Sequence, residues 1–411
     1  MSRARLPKQG IPRERLFEQM RERKRKDADW RGARTWSLCY PAGEDVDSVL
    51  AEANQLYLYE NALNPFRFPS LREMEVDVVG IALGLLHAPE AADGCMTSGG
   101  TESILMSMKT ARERAKVERG IEHAKIVAPY SAHPAFAKAA SYLRMELVQI
   151  PLRDDHRADV AAAERLIDDR TAVVVGSAPC YPFGVVDPIP ELAALAQARG
   201  VNFHTDACLG GFLWPFWDAI GEPVPPFDFR VEGVTTISAD VHKYGYATKG
   251  ASTISHRDGD HMRRYQMFVF RDWPGGGYAS FAMAGARPAA PIAAAWAILH
   301  WLGEEGYARL ATRIRDTTRK LRGGIGAIDG LHVYGDPEMS LFAFGSTRHD
   351  IFAIGDVMDD RGWCLDRQMG PDALHLMVSP EHEKVADQFL AELREAVEMH
   401  GTSRGKDARY S

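Results

Sequence analysis

The chain has 411 residues, 45% of them hydrophobic, which is enough for one large domain and a smaller one with ordinary buried cores. A net charge of −7 excludes a nucleic-acid binder working through clustered cations, and the basic run 21–26, interrupted by Glu22, reads as a solvated helix face. The five cysteines form no C-x-x-C pair, so no metal or redox site is expected and a reducing cytoplasm fits best. The first residues lack the apolar core of a signal peptide. The longest apolar run, 291–299, falls well short of the ~20 residues of a membrane span, so a soluble enzyme with no transmembrane segment is expected.

Residues 12–28 read as a charged helix and 44–60 as a second. Between 71 and 87, Met74, Val76, Val79, Ile81 and Leu85 recur at helical spacing, with Gly80 and Gly84 allowing close packing. The pair Gly99 and Gly100 then opens a helix that stops near Gly120. Beyond it strands at 125–128, 146–150, 171–176 and 201–205 alternate with helices at 134–143, 158–168 and 191–199, and a short buried strand follows at 234–238. Apolar strands between helices imply an α/β fold around a mostly parallel sheet with helices on both faces, and ligands at the carboxyl ends of its strands. Helices at 288–303 and 306–321 lead to a smaller C-terminal α+β domain that closes with a helix over 380–400, and the tail 402–411 is expected to be mobile. The expected parts are an N-terminal arm and dimerisation segment (1–75), a large cofactor-binding domain (76–305) and a small domain (306–411).

Three stretches carry chemistry. Lys243 stands in Ser238-Ala-Asp-Val-His-Lys just after the strand at 234–238, where a lysine is held firmly enough to form a Schiff base; the plain alternative is a surface loop lysine. Asp206 is delivered to the end of the strand at 201–205 and followed by small residues, which suits pairing with a protonated pyridine nitrogen; the alternative is a helix cap. Gly99, Gly100 and Thr101 precede an amphipathic helix, where backbone N–H groups converge on an anion. Phosphate cradle, carboxylate and lysine together describe a holder for pyridoxal 5′-phosphate (PLP).

Seven ordered motifs extend this over nearly the whole chain: 36–40, 61–65 with 68–71, 97–103, 132–136, 204–212, the Lys243 stretch, and 278–280 with 284–288. In these the chain resembles the sphingosine-1-phosphate lyases of the PLP-dependent group II decarboxylase superfamily, whose fold is the aminotransferase-like PLP fold type I. The resemblance implies a carbon–carbon lyase that cleaves a phosphorylated amino alcohol of the sphingoid-base kind, by retro-aldol reaction, into a long-chain aldehyde and phosphoethanolamine. An amino-acid decarboxylase of the same fold is the alternative. It further implies that His133 stacks on the cofactor ring, that His242 joins the phosphate site, and that Lys249 binds the substrate phosphate unless it is a solvated loop lysine. His204 either lines the pocket or packs, and Tyr244 counts among the substrate-binding residues. Tyr278 and Ser280 are expected to reach the site of a second subunit in a homodimer with shared active sites, a plain turn after 275–277 being the alternative. Phe281 and Ala282 stand where the lyases carry Pro-Thr, so a hydroxyl is missing there. Eukaryotic members carry a membrane anchor and none is visible here. Decarboxylases commonly place a carboxylate-binding arginine near the C-terminus, where this sequence has His375.

Overall fold

The computed structural model describes residues 3–405, so residues 406–411 of the expected mobile tail lie outside the described residues. Thirteen strands occur among the described residues: β1 (Asp93–Thr97), β2 (Lys125–Pro129), β3 (Glu146–Ile150), β4 (Thr171–Ser177), β5 (Asn202–Asp206), β6 (Thr236–Ala239), β7 (Ser252–His256), β8 (Phe268–Phe270), β9 (Tyr278–Ser280), β10 (Leu331–Val333), β11 (Leu341–Ser346), β12 (Asp366–Gln368) and β13 (Ala373–Met377). The first seven form one sheet in the order β1-β7-β6-β5-β4-β2-β3, parallel throughout except for β7. The expected mostly parallel α/β architecture is borne out, and β10 to β13 form a small antiparallel sheet in the order β10-β11-β13-β12.

β4 shows why its sequence is apolar at every step. Val173 and Val175 pack into a cluster with Ile104 and Phe136 on one face, while Val174 between them packs with Leu192 and Phe203 on the other. Helix ends follow local chemistry. Gly120 adopts φ 67 as the left-handed cap of the helix Gly100–Arg119, and the Asp159 carboxylate accepts from Ala162 N–H to start the helix Val160–Leu166.

The two helices expected at 288–303 and 306–321 are present within Ala290–Gly326, divided at Gly303, whose backbone (φ 55, ψ −178) is not helical and falls where glycine carries no Cβ penalty. β1 and β7 escaped the sequence reading, as did every strand of the small sheet. The arm divides in two: the helix Arg13–Lys24 buries no residue, whereas Trp36 is fully buried in its own chain and stacks on His382 with ring centroids 4.0 Å apart. The described part of the tail is tied down, with Arg404 N–H donating to the Asp356 carboxylate at 2.6 Å.

The register aligns the site. Asp206 at the end of β5 pairs with Ser177 of β4 and Ser238 of β6, so three polar residues meet at the carboxyl edge of the sheet.

Candidate active site

β1 delivers the chain to Thr97, and after Ser98 and Gly99 the helix Gly100–Arg119 begins. Its first intrahelical bond runs from Ser103 N–H to the Gly99 carbonyl (3.1 Å), so the amides of Gly100, Thr101 and Glu102 precede the ladder at the positive end of a long helix. Side chains stiffen the turn. Thr97 Oγ1 and Ser103 Oγ lie 2.6 Å apart, and Glu102 accepts from Ser98 N–H at 2.8 Å and from Met283 N–H at 2.7 Å. Gly100 is needed for space: a Cβ there would sit 2.7 Å from Cys208 Sγ and 2.9 Å from Asp240 Oδ2.

Asp206 is 8% exposed, and its Oδ1 accepts from Cys208 N–H (3.1 Å) and Ser238 Oγ (3.3 Å). Two residues back, His204 faces into the core. Its Nδ1 lies 3.0 Å from Ser107 Oγ and 2.9 Å from Thr236 Oγ1, and its Nε2 is 3.2 Å from Ser238 Oγ. Burial pushes its pKa down to about 4, so the ring is neutral and supports Asp206 from beneath through Ser238.

Lys243 stands in a turn beyond the end of β6 rather than at the strand end itself, its N–H donating to the Asp240 carbonyl at 3.2 Å. Its Nζ lies 3.0 Å from Asp240 Oδ2, a carboxylate whose side chain is only 1% exposed. Burial alone would raise the Asp240 carboxyl, but the charges of Lys243 and His242, with hydrogen bonds from Ser252 and Lys243, hold it below the ordinary carboxylate range. Sequence reasoning passed over Asp240. The available signal was an acid three residues before the lysine, just after a buried strand, so both side chains rise from one turn.

His133 opens the segment before the helix Ala135–Leu143, and its Nδ1 accepts from Ala135 N–H at 3.1 Å, which leaves the proton on Nε2. Burial lowers its pKa; Lys243 adds to this, and Asp206 and Asp240 oppose it. His242 is pushed down to about 4, chiefly by burial.

A cavity of ≈ 360 Å³ gathers Gly99, Gly100 and Thr101 at one end, with Asp206, His133, His242 and Lys243 around it. Ser177, Tyr181 and Asp240 complete its wall. Five expected residues lie elsewhere: His204 packs beneath Asp206 and does not line the cavity, and neither do the other four. Tyr244 is fully buried, its hydroxyl donating to the Val378 carbonyl (3.0 Å) and accepting from Ser340 Oγ (2.6 Å), because the side chain after Lys243 turns into the core. Lys249 donates to the His242 carbonyl (3.1 Å) with its ammonium 4.5 Å from the Tyr40 ring centroid. Although the residue is exposed as a whole, burial around its amine and the nearby charge of Lys243 push it down to about 8. Tyr278 and Ser280 lie on β9, and Ser280 borders a separate cleft of ≈ 490 Å³ with Asn64 and Arg287. Arg287 is engaged there by Glu75 at 2.6 and 2.9 Å. Among the described residues no group of three or more His, Cys, Asp or Glu is placed to hold a metal ion.

The donor set fits PLP. Among the described residues Asp240 Oδ1, His242 Nδ1 and Ser177 Oγ are buried without a hydrogen-bond partner, and all three residues line this cavity. The helix terminus suits a phosphate, Asp206 a ring N–H, and Lys243 an aldehyde. Fold and site together define a PLP-dependent enzyme, and residues 16–346 match the family described as "Pyridoxal-dependent decarboxylase conserved domain".

Relatives narrow this. Sphingosine-1-phosphate lyase of Arabidopsis thaliana is 42% identical over 401 residues, covering 96% of this chain and 73% of that one. Sphingosine-1-phosphate lyase 1 of Rattus norvegicus is 42% identical over 395 residues, covering 95% and 69%. The structure of a Burkholderia pseudomallei sphingosine-1-phosphate lyase superposes with a TM-score of 0.93 at 40% identity, covering 97% of this chain and 93% of that one. A Lactobacillus brevis glutamate decarboxylase, at TM-score 0.85 and 22% identity over 98% of this chain and 96% of its own, shares the fold. The chain belongs to the sphingosine-1-phosphate lyase family.

Proposed function

We propose that this protein cleaves the Cα–C3 bond of a phosphorylated sphingoid base, giving a long-chain aldehyde and phosphoethanolamine. The full-length likeness to lyases of that name carries this reading. His375 supports it over decarboxylation: buried and pushed down to about 4, it is uncharged, and its Nε2 donates to the Tyr181 carbonyl at 2.8 Å, so it offers no cationic fork to a carboxylate. The deciding assay supplies sphingosine-1-phosphate and a panel of amino acids and measures aldehyde and carbon dioxide separately. Aldehyde from the phosphate is expected; carbon dioxide from an amino acid with no aldehyde would overturn the reading.

PLP, when bound, supplies an aldehyde that captures the substrate amine and a cationic ring that accepts electrons from Cα. Gly99, Gly100, Thr101 and His242 hold the phosphate end, and Asp206 keeps a proton on the ring nitrogen. His133 covers the ring face. The amine of Lys243 takes the proton of the substrate hydroxyl as C3 becomes a carbonyl, and Asp240, 3.0 Å away, stabilises the resulting ammonium. Nζ then returns a proton to Cα.

Lys249 binds the substrate phosphate as a point charge. Its amine is protonated below about 8, so affinity for phosphorylated substrate falls as pH rises through that value. Lys249→Ala is expected to raise KM by roughly 10- to 100-fold. It should also flatten the alkaline limb of the kcat/KM profile; an unchanged KM and profile would remove Lys249 from the site.

The functional unit in this reading is a homodimer with shared sites, in the reducing cytoplasm. Large apolar side chains left exposed in the single chain support the dimer, among them Leu58, Tyr59, Phe66, Phe268, Phe270 and Trp273. All five cysteines are free thiols, and among the described residues no helix is long and apolar enough to cross a membrane. Tyr278 and Ser280 serve the partner's site, and the parts 1–75, 76–305 and 306–411 act as arm, cofactor domain and small domain. Where Lys243→Ala and Tyr278→Phe chains are each inactive, their mixed dimers are expected to regain activity; heterodimers that form without recovery would argue against sharing.

A further inference from the structure

Glu102 places one carboxylate oxygen on each of two distant segments. Its Oε2 accepts from the N–H and the hydroxyl of Ser98 inside the phosphate turn, and its Oε1 accepts from Met283 N–H at 2.7 Å. An acid in the first turn of a helix commonly reaches back to an amide near the cap, which needs only one oxygen. Here the second oxygen leaves the helix and holds another part of the chain. The residue is 9% exposed, so these bonds are made away from water, where an unmet carboxylate oxygen is costly.

The segment around Met283 depends on such ties. β9 forms a two-stranded sheet with the three residues of β8, and a hairpin of that size is marginal by itself. Just beyond β9 the Phe281 carbonyl accepts from Gln266 Nε2 at 2.9 Å, and Glu102 takes the N–H two residues later. Gln266 is fully buried and anchored on the main sheet, its Oε1 lying 2.6 Å from His256 Nε2 of β7. One tie therefore runs to the sheet and the other to the turn that suits a phosphate. Glu102 lines the cofactor cavity, whereas Ser280, Phe281 and Ala282 line the cleft of ≈ 490 Å³. A single carboxylate joins the walls of two spaces.

We propose that Glu102 is a positioning residue that couples the two active sites of the dimer, an inference that rests on the shared-site reading and supplies the link between sites which that reading lacks. Glu102 fixes the segment serving the partner's site to the phosphate turn of its own chain. When the amides at 99–101 close on a phosphate, Ser98 and Glu102 lose freedom with them, and Met283 is held where Tyr278 and Ser280 work across the interface. Linkage makes the effect reciprocal: a segment seated in the neighbouring site steadies the turn that retains the cofactor.

The test uses PLP-loaded dimers and Glu102→Asp, whose carboxylate, one methylene shorter, reaches Ser98 or Met283 but not both. In mixed dimers with a single working site, one chain carries Lys243→Ala and Glu102→Asp is placed on either chain. On the Lys243→Ala chain it loosens the segment that faces the working site, so kcat/KM should fall about tenfold further than when it sits on the working chain. Independently of turnover, amide exchange over 278–285 should quicken by about tenfold or more in the homodimeric variant. Glu102→Gln, with the native volume but one acceptor oxygen, should do the same and serves if the aspartate variant does not load cofactor. A purely local cap would quicken exchange over 97–103 alone. That result, or equal losses from both placements while the Lys243→Ala and Tyr278→Phe pair recovers activity, would overturn the coupling and leave shared sites standing. No recovery in that pair would remove shared sites, and the coupling with them.

Discussion

Replacing Lys243 with alanine is expected to drop turnover below about a thousandth of the wild-type rate, because both the covalent hold on the cofactor and the proton carrier are lost together. The loss should appear in kcat and kcat/KM alike, and the loaded variant should lack the absorbance of covalently held PLP. A second effect follows from the pairing at 3.0 Å. Asp240 is almost wholly buried, so removing its partner leaves an uncompensated carboxylate and costs about 3–5 kcal/mol of stability. Adding Asp240→Asn to the variant should recover much of its Tm without recovering activity. The pH dependence has a defined sign. In the native chain Asp240 is held below its ordinary range, so it contributes stability above the unfolded carboxylate pKa, and that contribution is lost as pH falls through the folded value. Without Lys243, burial dominates and raises the group, whose stabilisation is then present at low pH and lost as pH rises. The Tm gap between variant and native chain should therefore narrow on acidification. Activity above a thousandth, or a gap that widens, would count against this account.

Asp206→Asn is expected to lower kcat by roughly 100- to 1,000-fold with a smaller change in KM, since a neutral amide cannot keep the ring nitrogen protonated and electron withdrawal at Cα is needed only as the bond breaks. Its structural consequences should be small. The side-chain amide oxygen of the variant would still accept from Cys208 N–H and Ser238 Oγ, the two bonds that fix the carboxylate now. A variant that keeps near-native kcat while binding PLP normally would take Asp206 out of the electron-withdrawing role, and a lower PLP affinity with unchanged kcat would make it a binding group only.

What could be read in the sequence was whatever depends on neighbours along the chain. The unbroken apolar run of β4 announces a strand buried on both faces, the glycine pair at 99–100 announces a helix start with exposed amides, and Asp206 follows its strand directly. Features that depend on which way a side chain turns were decided only by the tertiary structure. β7 is a buried strand written in polar letters, Ser252-Thr-Ile-Ser-His256, and it is tolerated because most of its side chains find partners on other segments: Thr253 Oγ1 donates to the Ala239 carbonyl of β6 at 3.1 Å, and His256 Nε2 meets Gln266 Oε1, just past the helix Gly259–Tyr265, at 2.6 Å. Tyr244, next to Lys243 in sequence, turns instead to Val378, since adjacent side chains in a tight turn point apart. His204 shares the face of Asp206 on β5 but lies one step deeper, where it bonds Ser107 and Thr236 instead of reaching the cavity. The partnership of Lys243 with Asp240, and the hold of Asp366 and His375 on Tyr181, exist only once the turn after β6 and strands β12 and β13 are in place. Hydrogen bonding and burial between distant segments, which local periodicity does not encode, set both.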